Sequence, residues 1–176
     1  TAAVNNKQFI KESVKIFGSS TITITIEALK IEGKYKVYTD SGRTETNINV
    51  FEWIKEVQDM GVGEIILTSI NNEGTGKGFD LNLYEKASKL CNISLLAHGG
   101  ARNLDDVYRL FINSDVDGAV IASAFHFNYY KELLKRKEIS LQGSTNFLID
   151  KDYKKMFFFE IPELKKYLKS KNINIR

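Results

Sequence analysis

Residues 92–114 read NISLLAHGGARNLDDVYRLFINS. A mostly apolar run of strand length ends at Gly99 and Gly100, and a helical pattern begins almost at once. Asn103 is a good N-cap, and Asp105 and Asp106 suit the positive end of a helix dipole. A buried strand that passes directly into an amphipathic helix is the unit from which parallel sheets are built. The glycine pair admits two readings. Without a Cβ, Gly99 and Gly100 take unusual φ/ψ values and let backbone N–H groups approach an anion closely, as a phosphate loop requires. The same two residues also suit a tight strand-to-helix turn with no ligand.

The unit recurs on both sides. GEIILTSI (63–70) reads as a strand and DLNLYEKASKL (80–90) as a helix; DGAVIASAF (117–125) reads as a strand, and IPELKKYLKSKN (161–172) as the closing helix. Pro162 fits the first turn of that helix, where its missing N–H has no partner to lose. Upstream, NNKQFIKESVKIFG (5–18) carries Ile10, Val14 and Phe17 at helical spacing and stops at Gly18. TITITIEA (21–28) alternates with period two, which puts Ile22, Ile24 and Ile26 on one face and Thr21, Thr23, Thr25 and Glu27 on the other. KIEGKYKVYTDSGRTETN (30–47) predicts a β-hairpin excursion turning at Glu32 and Gly33, followed by a helix with Val50, Trp53, Ile54 and Val57 on one stripe that ends near Gly61.

Four strands, each followed by a helix, imply an α/β protein with a parallel sheet. Two architectures fit: an open doubly wound sheet, or part of a (β/α)8 TIM barrel. Barrel chemistry sits at the C-terminal ends of the strands, with phosphate commonly in the loops after the last two. Polar or glycine residues gather at each such end here: Glu27, TSINNEGTGKG (68–78), His98 with the glycine pair, and ASAF (122–125). A threonine face ending in Glu27 also suits a barrel interior better than a sheet face covered by helices. A complete barrel takes roughly 250 residues, so 176 residues predict about half of one.

With 43% hydrophobic residues the chain can bury one sizeable core, and no Pro/Ser-rich linker divides it, so residues 1–176 are expected to form a single domain. The net charge of +3 is small and the charges are mixed, which makes no case for nucleic acid. The basic run KELLKRKE (131–138) reads as a solvated helix face. One cysteine, no signal peptide and no long apolar span point to the cytoplasm and away from a membrane. The first residue is Thr1 and not Met, which predicts that an upstream segment has been removed.

Taken together, TAAV with Asn6, GEIILTSI followed by Gly74, Thr75 and Asp80, Gly99-Gly100-Ala101, Ala122-Ser123 with FHF (125–127), and the terminal ELKKYLK (163–169) carry a family likeness. The chain resembles the cyclase subunit of imidazole glycerol phosphate synthase, over nearly its whole length and from just after the fourth barrel strand to the C-terminus. The resemblance implies strands five to eight of the barrel. It implies a lyase of histidine biosynthesis that takes ammonia from a glutaminase subunit through the barrel. The ammonia splits a phosphorylated ribulosyl-formimino substrate into imidazole glycerol phosphate and an aminoimidazole ribotide. Two carboxylates on opposite strands do the acid–base work; one lies in the missing N-terminal half-barrel, and the other matches Glu27.

Residue by residue, the resemblance assigns Gly99, Gly100 and Ala101, with Ala122 and Ser123, to the phosphate loops after strands seven and eight. Thr1 matches a contact to the substrate's other phosphate. Thr68, Ser69, Asn71, Glu73, Gly74 and Thr75 match the sixth strand end and the loop that closes over substrate. No cofactor is implied. The sequence departs from the family at several of these places. Glu27 stands where the family has Asp, Asn71-Asn72-Glu73 where it has Asp-Arg-Asp, Leu29 where it has Lys, and His98 where it has Ser. The segment 128–160 is an insertion where ordinary cyclases have a short connector. These changes also fit a non-cyclising paralogue that binds a glutaminase and conducts ammonia to a sugar amidotransferase in surface-polysaccharide biosynthesis. A half-barrel is further expected to leave two unpaired strand edges, to be filled by its missing half or by a second copy.

Local readings compete with these. Glu27 suits an interior carboxylate paired with a lysine as well as a catalytic role, His98 a local hydrogen bond as well as a phosphate or acid–base role, and His126 a structural one. EGTGKGFD (73–80) has the wrong glycine spacing for a P-loop, since Lys77 precedes Gly78 and not Ser or Thr. Cys91 has no partner His in view, no metal-ligand spacing appears, and MFFFE (156–160) reads as a packed strand covering the barrel.

Overall fold

The computed structural model describes residues 1–126, 128–129 and 158–175. Two helices, α1 (Ala2–Asn5) and α2 (Lys7–Phe17), lead into β1 (Thr23–Ile31). Next come β2 (Lys34–Thr39), β3 (Thr44–Asn49) and α3 (Val50–Asp59). The alternation continues through β4 (Glu64–Ser69), α4 (Leu81–Ser88), β5 (Ser94–His98), α5 (Leu104–Asn113) and β6 (Gly118–Val120), and α6 (Ile161–Ser170) follows after the segment outside the described residues. Among the described residues one sheet holds the six strands in the order β3-β2-β1-β4-β5-β6. Strands β1, β4, β5 and β6 run parallel in chain order, as the repeated strand–helix rhythm demands.

The helices cover one face of that sheet. Ile24, Ile26, Ile65, Leu67, Leu95 and Ala97 point towards them and are buried, and meet Trp53, Ile54 and Val57 of α3, Leu83 and Ala87 of α4, Val107 and Leu110 of α5, and Leu164 and Leu168 of α6. Each fully buried side chain of this size contributes about 1.5–3 kcal/mol, so the buried stripes of α3, α4, α5 and α6 are spent on this face. The other face carries the alternate residues, and the register stacks them into rungs. Thr23, Glu64 and Ser94 form the first rung, Thr25, Ile66, Leu96 and Gly118 the second, and Glu27, Thr68, His98 and Val120 the third. Rungs of side chains on one face of parallel strands, with the described core helices packed on the other, match the arrangement of a (β/α)8 barrel.

Several expectations change in detail. The excursion after β1 is two hairpins, not one. The first turns at Glu32 and Gly33, both with positive φ (48° and 79°), which is the turn geometry that matches strand twist; the second turns at Asp40–Gly42 and adds β3. The first hairpin also lays β2 against β1, so the β1 edge is not bare: Glu27–Ile31 pair with Lys34–Tyr38, while Thr23–Ile26 have no partner on that side among the described residues. Strand β6 is three residues long, and the chain is helical from Ser123, so Ala122 and Ser123 lie past its end. Phe17 is exposed and not on the core stripe of α2, which buries Ile10 and half-buries Val14. Of MFFFE, Phe158–Glu160 lie in no strand, and Phe159 is buried with its ring 5.3 Å from that of Phe125. The rest of that segment, and the expectations for KELLKRKE and most of 128–160, fall outside the described residues. No helix among the described residues is long and apolar enough to cross a membrane.

Candidate functional site

The third rung ends the parallel strands and gathers the chemistry. Thr68, buried on β4, shares a 3.0 Å hydrogen bond with Nδ1 of His98 on β5, which holds the imidazole against the strand end. On the other side of Thr68, Glu27 accepts a hydrogen bond from the Gly42 N–H at 3.1 Å, so this carboxylate is held by the tip of the second hairpin, with no lysine paired to it among the described residues. Thr1 belongs to the same corner: its hydroxyl accepts the Asp40 N–H at 2.9 Å. The tip residues Asp40 and Ser41 have φ of 55° and 58°, so a left-handed pair of non-glycine residues is anchored from two sides.

The loop after β4 is built by side chains that mimic backbone. Asn71 accepts the Lys30 N–H at 2.7 Å and so ties this loop to the end of β1. Ser69 C=O accepts the N–H groups of Asn72 and Glu73, and Asn72 donates to Gly78 C=O at 2.7 Å. The loop then clasps its neighbour, with Gly78 N–H donating to Gly100 C=O at 2.8 Å. Gly99 and Gly100 have φ of 105° and 100°. A Cβ at Gly99 would lie 2.9 Å from Ser69 O, and one at Gly100 would overlap Gly78 O. The glycine pair is therefore required first by contact between two loops.

That packing leaves the amides beyond it available. At the start of α5, Asn103 accepts the Asp106 N–H, and the buried Asp106 carboxylate accepts the N–H groups of Arg102 (3.0 Å) and Asn103 (3.2 Å), a closed capping box. The N–H groups of Gly100 and Ala101, and of Ala122 and Ser123 in the next loop, have no acceptor among the described residues. All four residues line one open cavity of about 190 Å³ at the strand ends. Set against roughly 30 Å³ per water molecule, this leaves room for a phosphate group.

Of the residues singled out in the sequence, Glu73, Gly74, Thr75, His98, Gly99, Gly100, Ala101, Ala122 and Ser123 line this cavity together. Thr1, Glu27, Thr68, Ser69 and Asn71 do not. Glu27 and Thr68 share the rung of His98, Thr1 and Asn71 fasten loops, and Ser69 is buried with its Oγ unpaired among the described residues.

The model of the histidine biosynthesis protein family matches residues 1–131. The chain belongs to this family. The imidazole glycerol phosphate synthase subunit HisF of Chlorobaculum parvum is 39% identical over 147 residues, covering 81% of this chain and 59% of the relative. The same subunit of Chlorobaculum tepidum is 37% identical with the same coverage, and that of a Bacillus cereus strain 41% identical over 128 residues, 72% of this chain and 51% of the relative. The chain thus spans between half and three-fifths of the length of these relatives.

The cavity also holds residues that sequence reasoning passed over, Arg102 foremost, with Gly76, Val120 and Ile121. A basic residue placed between a glycine pair and a helix cap was the available signal for Arg102.

Proposed function

We propose that this chain forms the phosphate-anchoring half of a cyclase of the imidazole glycerol phosphate synthase type, a lyase that uses glutaminase-derived ammonia in histidine biosynthesis. The observation that carries this reading is the pair of adjacent loops, Gly100-Ala101 and Ala122-Ser123, whose unengaged amides line one cavity beside the rung of Glu27, Thr68 and His98. Oriented amides hold a phosphate monoester without needing a titratable group. The reacting part of an extended substrate anchored there is carried over the third rung. Glu27, on the strand two away from His98, is the carboxylate positioned to move a proton. The second carboxylate comes from the complementary half-barrel, since one group does not serve as acid and base on opposite sides of a substrate.

The test is turnover of the cyclase substrate with ammonium as nitrogen source. The 176-residue chain alone is expected to be inactive. Co-folded with the N-terminal half of the Chlorobaculum parvum relative it is expected to form imidazole glycerol phosphate, and Glu27→Gln is expected to slow that reaction by about 10²–10⁴. Turnover by the chain alone would show that no second carboxylate is needed.

A second reading, the non-cyclising ammonia-conducting paralogue, is favoured by one observation: the Glu27 carboxylate is already engaged by Gly42. A co-folded barrel that binds a glutaminase but makes no product would select it.

A further inference from the structure

We propose that His98 is a specificity-determining residue of the cavity: its Nε2–H, held in place by Thr68, donates a hydrogen bond to a neutral oxygen, hydroxyl or carbonyl, on the carbon chain of a phosphate monoester anchored at the loop amides. This rests on the phosphate reading of the same cavity. One ring nitrogen is already committed. Nδ1 lies 3.0 Å from the Thr68 Oγ1, while Nε2 has no partner among the described residues and the residue lines the cavity. Thr68 is buried and its hydroxyl has no other acceptor among the described residues, so its proton is satisfied only by donating to Nδ1. That places the proton of the neutral imidazole on Nε2. A protonated ring reverses the Thr68 bond but carries Nε2–H as well. In either charge state the cavity is offered a donor at this point.

The fold also fixes where the donor stands. His98 is the last residue of β5, in register with Thr68 of β4, and its C=O accepts the hydroxyl of the buried Tyr84 on α4. Ring and backbone are thus both pinned, and the β-branched Thr68 has few rotamers to move into. A donor ordered before the ligand arrives loses little further conformational entropy on binding. Its position decides what it meets. The imidazole stands on the third rung, whereas the free amides of Gly100, Ala101, Ala122 and Ser123 lie past the strand ends. A ligand with its phosphate on those amides extends its carbon chain over the rung, where Nε2–H waits. The Thr75 hydroxyl, on the same wall, already donates to the Asn72 C=O. A neutral oxygen accepts from His98 without setting a further negative charge beside the Glu73 carboxylate that lines the cavity. The family that the sequence resembles has Ser at this position; an imidazole reaches farther than that hydroxyl and, with Nδ1 engaged, only donates.

The test titrates glycerol phosphate and, as a matched monoester without hydroxyl groups, methyl phosphate into the full chain at constant ionic strength, read by ¹H–¹⁵N spectra of the backbone amides and of the His98 ring nitrogens. Without ligand, at a pH where the ring is neutral, the proton is expected on Nε2. Both esters are expected to shift the Gly100 and Ser123 amides, and only glycerol phosphate to shift the His98 Nε2. His98→Leu is expected to weaken glycerol phosphate about tenfold and to leave methyl phosphate unchanged, and His98→Gln, whose amide donates from nearly the same place, to recover part of that loss. A neutral ring protonated on Nδ1, an Nε2 that responds equally to both esters, or a His98→Leu variant whose Kd for glycerol phosphate is unchanged would overturn the role of His98 and leave the phosphate cavity standing. Amides unmoved by either ester would remove the phosphate reading itself, and this proposal with it. Should His98→Leu fail to fold, the ring-nitrogen titration of the unmodified protein decides alone. A purely structural His98 would change the unfolding midpoint without separating the two esters.

Discussion

Gly100 bears two constraints at one position. Its φ of 100° is a conformation that side chains with a Cβ rarely adopt, and the space where a Cβ would stand is filled by the Gly78 carbonyl oxygen and by Asn72. Neither neighbour is the far end of a flexible side chain, so relief requires moving the loop after β4. Gly100→Ala is therefore expected to cost about 3 kcal/mol or more, the sum of a left-handed backbone penalty and an overpacked contact. The measurement is a urea midpoint for the two proteins. A variant within 1 kcal/mol of the parent would mean that the two loops are not clasped as described. This residue also explains why a glycine pair was ambiguous in the sequence. Close approach to protein backbone and close approach to phosphate ask the same thing of the chain, and here the first demand creates the cavity on which the second depends.

Elements are tied to one another by a few buried polar contacts, and the clearest joins β2 to α4. The Tyr35 hydroxyl donates to the Asp80 carboxylate at 3.0 Å while Asp80 caps α4 by accepting the Leu83 N–H. Burial first, then the hydrogen bond to Asp80 and the charge of that carboxylate, push the Tyr35 hydroxyl up to about 12 from its usual 10. The folded state thus holds this proton more tightly than the unfolded state. Its contribution is complete below pH 10 and lost as pH rises through about 12; burial of Tyr84 acts in the same direction. Tyr35→Phe is expected to be less stable at pH 7 by about 1.5 kcal/mol, yet to lose less further stability between pH 10 and 12. Parallel stability–pH curves for the two proteins would defeat that account. Contacts of this kind show why some elements were legible in the sequence and others not. The Asn103 cap and the turn at Glu32-Gly33 depend on residues within a few positions, so local chemistry revealed them; that Asp106 closes a capping box with Asn103 came from the structure. The stripe of α3 was legible because Val50, Trp53, Ile54 and Val57 all meet the sheet. The same periodicity misplaced Phe17, since spacing gives a face but not whether a neighbour covers it. Arg102 escaped notice because its relation to Ser123 exists only once two loops have closed on each other.

At the scale of the whole molecule, the sheet is covered by helices on one face and, among the described residues, open along two sides. Thr23–Ile26 of β1 have no strand beside them on the side of β2 among the described residues, and β6 ends the sheet on the other. Helix α2 is tied to α3 by the Lys7–Glu56 ion pair. Phe9 and Ile16, seven residues apart and hence on one face of α2, are more than half exposed, and so is Phe17. An open strand edge and an apolar helix face each recruit another chain. The rungs add to this, because Thr25, Ile66 and Leu96 lie on the sheet face away from the helices, which a closed barrel would bury. The relatives, longer by two-fifths or more, have the residues to close such a barrel. The 176-residue chain on its own is accordingly expected to associate with a second copy through these sides. Light scattering at tens of micromolar should give at least twice the 20.0 kDa chain mass. Ile16→Glu combined with Phe17→Glu, both at exposed positions that leave the core untouched, should shift the population towards monomer while the circular dichroism spectrum stays the same. A parent chain that is monomeric across that range would show that the α2 face and the β1 edge are tolerated in water, and the half-barrel would then be a self-sufficient unit.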